Sequence, residues 1–230
     1  LGKRVLPLRP DGFGEVRPTP KILRNRRFAT IDIFPPPKQK TFVATVATVP
    51  HRVARRSSWR PECPVTLDQL SYIKMPFWGF DHLRHTGEMI VNAGVADEVV
   101  AAFRQLYEIR YPIEEMRVVT RHEVESWNKT PTGDMNTTSS FECREAAESS
   151  HWSQHAYGLA IDINPFHNPY HRGDLVAPEL ASAYVDRGRV RPGMILEGDR
   201  VTEAFDSIGW GWGGRWSSLK DWMHFSQNGH

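Results

Sequence analysis

The sequence predicts an α+β domain spanning about residues 62–230, with a basic arm and strand pair over residues 1–61 packed against it. Three observations carry this. Residues 96–110 place Val99, Val100, Phe103, Leu106 and Tyr107 on one helical stripe, which Pro112 ends. Short apolar or β-branched runs at 87–92, 116–120 and 159–163 read as strands of ordinary length, two of them close to that helix. Charge breaks near residue 60: fourteen Lys and Arg against three acids before it, net +11, and fifteen against twenty-four after it, net −9.

In chain order, Pro7, Pro10, Pro18 and Pro20 make residues 1–25 an irregular arm. Residues 27–34 and 41–49 alternate like two strands separated by Pro35, Pro36 and Pro37. Thr66 could cap a short helix over 66–73. After the strand at 87–92, the helix and the strand at 116–120, residues 121–150 are rich in Ser, Thr and Asn and read as a surface loop. LAIDI at 159–163 is a strand with one carboxylate in it, followed by a proline-rich excursion over 165–195. A short helix at 198–209, a glycine and tryptophan turn, and a last strand in DWMHFS complete the chain, with no internal repeat and no convincing interdomain linker.

The longest weakly polar run, 41–50, is too short to span a bilayer, and residues 1–12 show no signal-peptide h-region. The basic arm suits an anionic surface or a solvated face. No zinc-finger, homeodomain or RNA-sheet signature accompanies it, so no nucleic-acid partner is expected. Cys63 and Cys143 lack nearby histidines; they read either as a disulfide formed in an oxidising compartment or as two free buried thiols.

The chemistry concentrates in SQHAYGLAIDI, 153–163, and DWMHF, 221–225. Asp162 inside an apolar strand is costly to bury unless paired or metal-bound. Catalytic zinc sites take three ligands from His, Asp or Glu and keep one position open. His155, Asp162 and His224 supply such a set. Asp221, three residues before His224, would be a general base that is not itself a ligand. Arg144, beside Cys143, would face the charge that develops on a tetrahedral intermediate. On residue chemistry alone, a hydrogen-bonded core network of His155, Asp162 and His224, or a structural metal site, remains open.

At these residues the sequence resembles the M15 family of peptidoglycan peptidases, which includes zinc D-alanyl-D-alanine carboxypeptidases, D,D-dipeptidases and L-alanyl-D-glutamate endopeptidases. The pattern S-x-H-x-x-G-x-A-x-D stands as Ser153, His155, Gly158, Ala160 and Asp162, and the acid three residues before His-Phe as Asp221, His224 and Phe225. The resemblance, over roughly 62–226, implies a compact zinc-peptidase domain with a short antiparallel sheet and flanking helices. It makes His155, Asp162 and His224 the zinc ligands, Asp221 the base and Arg144 the substrate-polarising arginine. Ser226 departs from it, standing where many relatives carry an acid.

The expected function is zinc-dependent hydrolysis of a peptidoglycan stem peptide by a secreted, cell-wall-associated bacterial monomer. A D-alanyl-D-alanine carboxypeptidase comes first; an endopeptidase cutting L-alanyl-D-glutamate or a non-catalytic cell-wall binding module are the alternatives. Ser153 is expected either to bind substrate or to cap a turn. Trp212, with Trp210 and Trp216, would line a cleft or fill a core. His151, His167 and His171 are expected in solvent, and Arg187, Arg189 and Arg191 either hold a substrate carboxylate or are solvated. Asn128 and Asn136 begin glycosylation-type triplets.

Overall fold

A computed structural model of the chain describes every residue except 1, 3, 128, 147 and 148, so the Asn128 triplet lies outside the described residues. The elements are β1 (Thr45–Thr48), α1 (His51–Arg56), β2 (Leu70–Trp78), β3 (Arg84–Asn92), α2 (Ala96–Glu108), β4 (Glu115–Met116), α3 (Arg121–Ser126) and β5 (Thr137–Thr138). There follow β6 (Ala160–Asp162), β7 (Tyr170–Arg172), β8 (Leu175–Ala177), α4 (Arg200–Asp206), β9 (Gly211–Trp212), β10 (Lys220–Asp221) and β11 (His224–Ser226). Small antiparallel sheets with flanking helices make the mixed α+β architecture, and no helix among the described residues is long and apolar enough to cross a membrane.

The largest sheet runs β1-β2-β3, with α2 packed on β2 and against α4. The stripe read from the sequence is the buried one: Val99, Phe103 and Leu106 meet Ile73, Met75, Met89 and Val91 from the sheet and Phe205 from α4. Pro76 is tolerated in the middle strand because β1 pairs only with Ser71–Lys74. Beyond that point β2 is an edge, and its missing N–H leaves no neighbour unsatisfied.

Several expectations are corrected. The helix over 66–73 reduces to one 3-10 turn, Leu67–Gln69, closed by the Thr66/Gln69 capping box; from Leu70 the chain is strand, because its alternation is continued past Pro76 by pairing with β3. The strand at 27–34 does not form. Residues 27–34 join no sheet and are held by side chains instead. Asp32 meets His85 Nδ1 at 2.9 Å, Lys74 lies over the Phe34 ring, and Thr86 donates to the Pro35 carbonyl. Of 41–49 only Thr45–Thr48 is strand, and of 116–120 only Met116.

The polar stretch 121–150 is not simply a surface loop. It opens with α3, capped by Thr120 and Glu123, and then Asn136 to Cys143 turn inward. Polarity there serves buried partners: Asn136 accepts from Phe166 N and donates to Glu114, and Thr138 Oγ1 accepts from Asn164 N. With its amide buried in these bonds, Asn136 is not accessible for modification.

Cys63 and Cys143 form the disulfide, closing an 80-residue separation with Cα atoms 5.7 Å apart. Replacing both by Ala should cost about 4.5 kcal/mol by the chain-entropy relation for a loop of that length, read from urea unfolding. A loss under about 1 kcal/mol would show that the bridge constrains little of the unfolded chain.

His167 corrects the expectation of solvent exposure: it is wholly buried, stacked on Phe80 at 4.7 Å, with Nε2 donating to the Arg26 carbonyl at 3.0 Å. Burial pulls its pKa down to about 3. The unfolded chain therefore binds a proton that the folded chain refuses, so stability is full above about pH 6.5 and falls as pH drops toward 3. At 1.36 kcal/mol per unit, wild type should lose on the order of 4 kcal/mol more than His167→Gln between pH 7 and pH 3. Equal losses in urea titrations of the two proteins would rule His167 out as the cause.

Candidate metal centre

The site forms where two short strands pair. β6 and β11 run antiparallel with Asp162 and His224 as direct cross-strand partners, so both side chains leave the same face. His155 arrives from the 3-10 turn Gln154–Tyr157, which Ser153 caps by accepting from His155 N at 3.3 Å. Gly158 ends that turn at φ 69°, and a Cβ there would stand 2.5 Å from Asn92 N, so both the left-handed backbone and the close approach require glycine.

His155, Asp162 and His224 are buried, with one donor atom from each within 4.8 Å of the others. His155 Nδ1 donates to the Ser140 carbonyl at 2.7 Å, which fixes the tautomer and turns Nε2 inward. That Nε2 lies 3.2 Å from His224 Nδ1 and 3.3 Å from Asp162 Oδ2, while His224 Nδ1 is 3.2 Å from Asp162 Oδ1. Burial opposes a charged imidazole at His155, but the Asp162 and Glu142 carboxylates outweigh it and lift its pKa to about 9. Burial likewise disfavours a charged Asp162, yet His155 and His224 hold it well below the usual carboxylate range.

Asp221 stands beside this group on β10. Its Oδ1 is buried without a hydrogen-bond partner, and burial followed by the Asp162 charge raises its pKa to about 7. A Cβ on Gly213 would come within 2.6 Å of the Asp221 carbonyl, so glycine lets the tryptophan-rich turn pack directly on this residue. Arg144 acts on Asp162 and Asp221 through its charge; its own pKa is raised because those carboxylates and Glu142 overcome the cost of burial.

The donor set fits zinc. His155 Nε2, His224 Nδ1 and an Asp162 oxygen converge in a buried pocket, and Asp221 Oδ1 beside them is left without a partner, as a site completed by a cation and a water would leave it.

The remaining predicted residues fall as follows. Trp212 lies in the main core, 3 % exposed, its indole N–H donating to the Trp222 carbonyl. Trp216 is instead the tryptophan beside the site, half-buried, with its ring 5.4 Å from that of His224. Arg187 and Arg191 are neither solvated nor free for a ligand: Arg187 donates to the His167, Tyr184 and Ile195 carbonyls and Asn168, and Arg191 packs over Tyr184. Ser226 Oγ donates to the His230 carbonyl. Sequence reasoning missed Ser140, whose contribution is a backbone carbonyl, and Glu142, whose only signal was its place two residues before Arg144.

No curated protein and no solved structure matches the chain. A family model described as D-alanyl-D-alanine carboxypeptidase matches residues 146–227, a shorter span than the 62–226 expected, which leaves Arg144 outside it. The segment that supplies all three donors thus matches the M15 family of zinc D-alanyl-D-alanine carboxypeptidases, and that match together with the buried His155, Asp162 and His224 supports a zinc metallopeptidase activity.

Proposed function

We propose that the chain holds zinc on His155, Asp162 and His224 and hydrolyses an amide bond in the peptidoglycan stem peptide, removing the terminal residue of a D-alanyl-D-alanine end. The convergence of the three donors beside a buried carboxylate that is not among them carries this reading. Bound zinc supplies Lewis acidity to the scissile carbonyl and to the attacking water. Asp221 takes the proton from that water and returns it to the leaving amine, a role its buried Oδ1 leaves it free to play. Arg144 faces the oxygen on which negative charge develops. The Ser140 carbonyl keeps the His155 ring oriented, and Trp216 walls the site beside His224. The disulfide and the family's cell-wall substrates support a secreted, wall-associated bacterial protein.

An endopeptidase that cuts L-alanyl-D-glutamate is the second reading. It is favoured by the commitment of Arg187 and Arg191 to the fold, which removes two candidate cations for holding a terminal carboxylate. Incubation of the zinc-loaded protein with defined stem peptides, followed by mass spectrometry, separates the two. Loss of one terminal D-Ala establishes the carboxypeptidase, a cut after L-Ala establishes the endopeptidase, and intact peptides favour a binding module.

A further inference from the structure

The segment from Ser139 to Arg144 is bonded to two of the three donors. Ser139 exchanges backbone hydrogen bonds with Asp162 at 2.9 and 3.1 Å, Ser140 accepts from the His155 ring, and Glu142 N donates to the His155 carbonyl. Cys143 is anchored twice more, by the disulfide and by its N–H to Ser58 Oγ. Within this braced segment the Glu142 carboxylate is 1 % exposed and accepts two bonds: Ser139 Oγ to Oε1 at 2.9 Å and Arg144 Nε to Oε2 at 2.9 Å.

A buried carboxylate needs partners on both oxygens, and here one partner is backbone-anchored serine while the other is the guanidinium. The carboxylate therefore takes only the inner edge of Arg144. Nη1 reaches the Glu145 carbonyl at 3.4 Å, the Trp127 ring lies 5.8 Å from the guanidinium carbon, and Nη2 makes no hydrogen bond among the described residues. A long arginine side chain otherwise samples many rotamers, and ordering it in advance removes that cost from the reaction. We infer that Glu142 is a positioning residue: tied to Ser139, it holds Arg144 by Nε and leaves Nη2, the nitrogen with no hydrogen bond among the described residues, to face the site. The inference rests on the proposed role of Arg144.

The test pairs a measurement independent of turnover with a coupling experiment. In the zinc-loaded protein, the Arg144 Nε–H resonance, assigned by its disappearance in Arg144→Lys, should exchange slowly. Glu142→Ala should accelerate that exchange at least about tenfold while zinc stoichiometry and cooperative unfolding persist. On the cleaved stem peptide, Glu142→Ala should lower kcat about 10- to 100-fold with little change in KM, and should cause no further loss in an Arg144→Ala background. If alanine prevents folding, Glu142→Gln, which keeps the size and one acceptor, should show the same changes at smaller amplitude. Unchanged Nε–H exchange, or equal losses from Glu142→Ala with and without Arg144, would overturn the positioning role. Full turnover by Arg144→Ala alone would instead overturn the role of Arg144, and the catalytic part of the inference with it, whatever the exchange rates.

Discussion

Asp221→Ala is expected to keep zinc and cooperative folding while lowering kcat by about 10²- to 10⁴-fold, the range that a positioned general base contributes. The residue is not among the three donors, and its Oδ1 has no partner whose loss would disturb the fold. Removing it also relieves repulsion, since the Asp162 charge is among the causes that disfavour a charged Asp221. Asp221→Asn should behave alike, because an amide keeps the shape but cannot accept the proton. Metal analysis and steady-state kinetics on the same preparation decide the matter: near-native turnover at full zinc content would remove Asp221 as the base.

His155→Ala is expected to act on the metal itself. It should reduce zinc affinity by well over 100-fold, beyond the ~10- to 100-fold typical of losing a group that merely orients a ligand, and abolish turnover with it. The variant also strips Asp162 of the imidazole that does most to favour its charge in a pocket where burial opposes that charge, so the zinc-free protein should unfold more readily. Elemental analysis of the folded fraction separates the two effects. One zinc per folded chain in His155→Ala would take this residue out of the donor set, whereas Asp221→Ala provides the matched control in which zinc stays and chemistry goes.

The difference between what was read correctly and what was not follows the range of the interactions. The helix at 96–110 was legible because its apolar stripe and its Pro112 stop are local, and the structure keeps Ala96–Glu108 as helix with that stripe inward. The stretch 27–34 has the same local look as a strand, but a strand exists only with a backbone partner, and no strand of the described sheets pairs with it. Residues 66–73 show the opposite competition: a genuine capping box at Thr66 wins one turn, and pairing with β3 wins everything after it. For 121–150, polarity suggested exposure because a sequence cannot show which hydrogen-bonding groups find partners inside.

The sequence by itself determined the donor chemistry of this protein: two imidazoles and a carboxylate at positions 155, 162 and 224, an acid at 221, an arginine at 144, and two cysteines 80 residues apart. Those are properties of residue identity and short spacing. Only the tertiary structure decided that Asp162 and His224 face each other across β6 and β11 and that Ser140 aims the His155 ring. It also decided that Trp216 lies beside His224 while Trp212 enters the core, and that Glu142 grips Arg144. Register and ring orientation at the site depend on contacts between distant segments, His155 and His224 being 69 residues apart, and a one-residue slip of β11 would turn His224 to the opposite face with no change in the sequence around it.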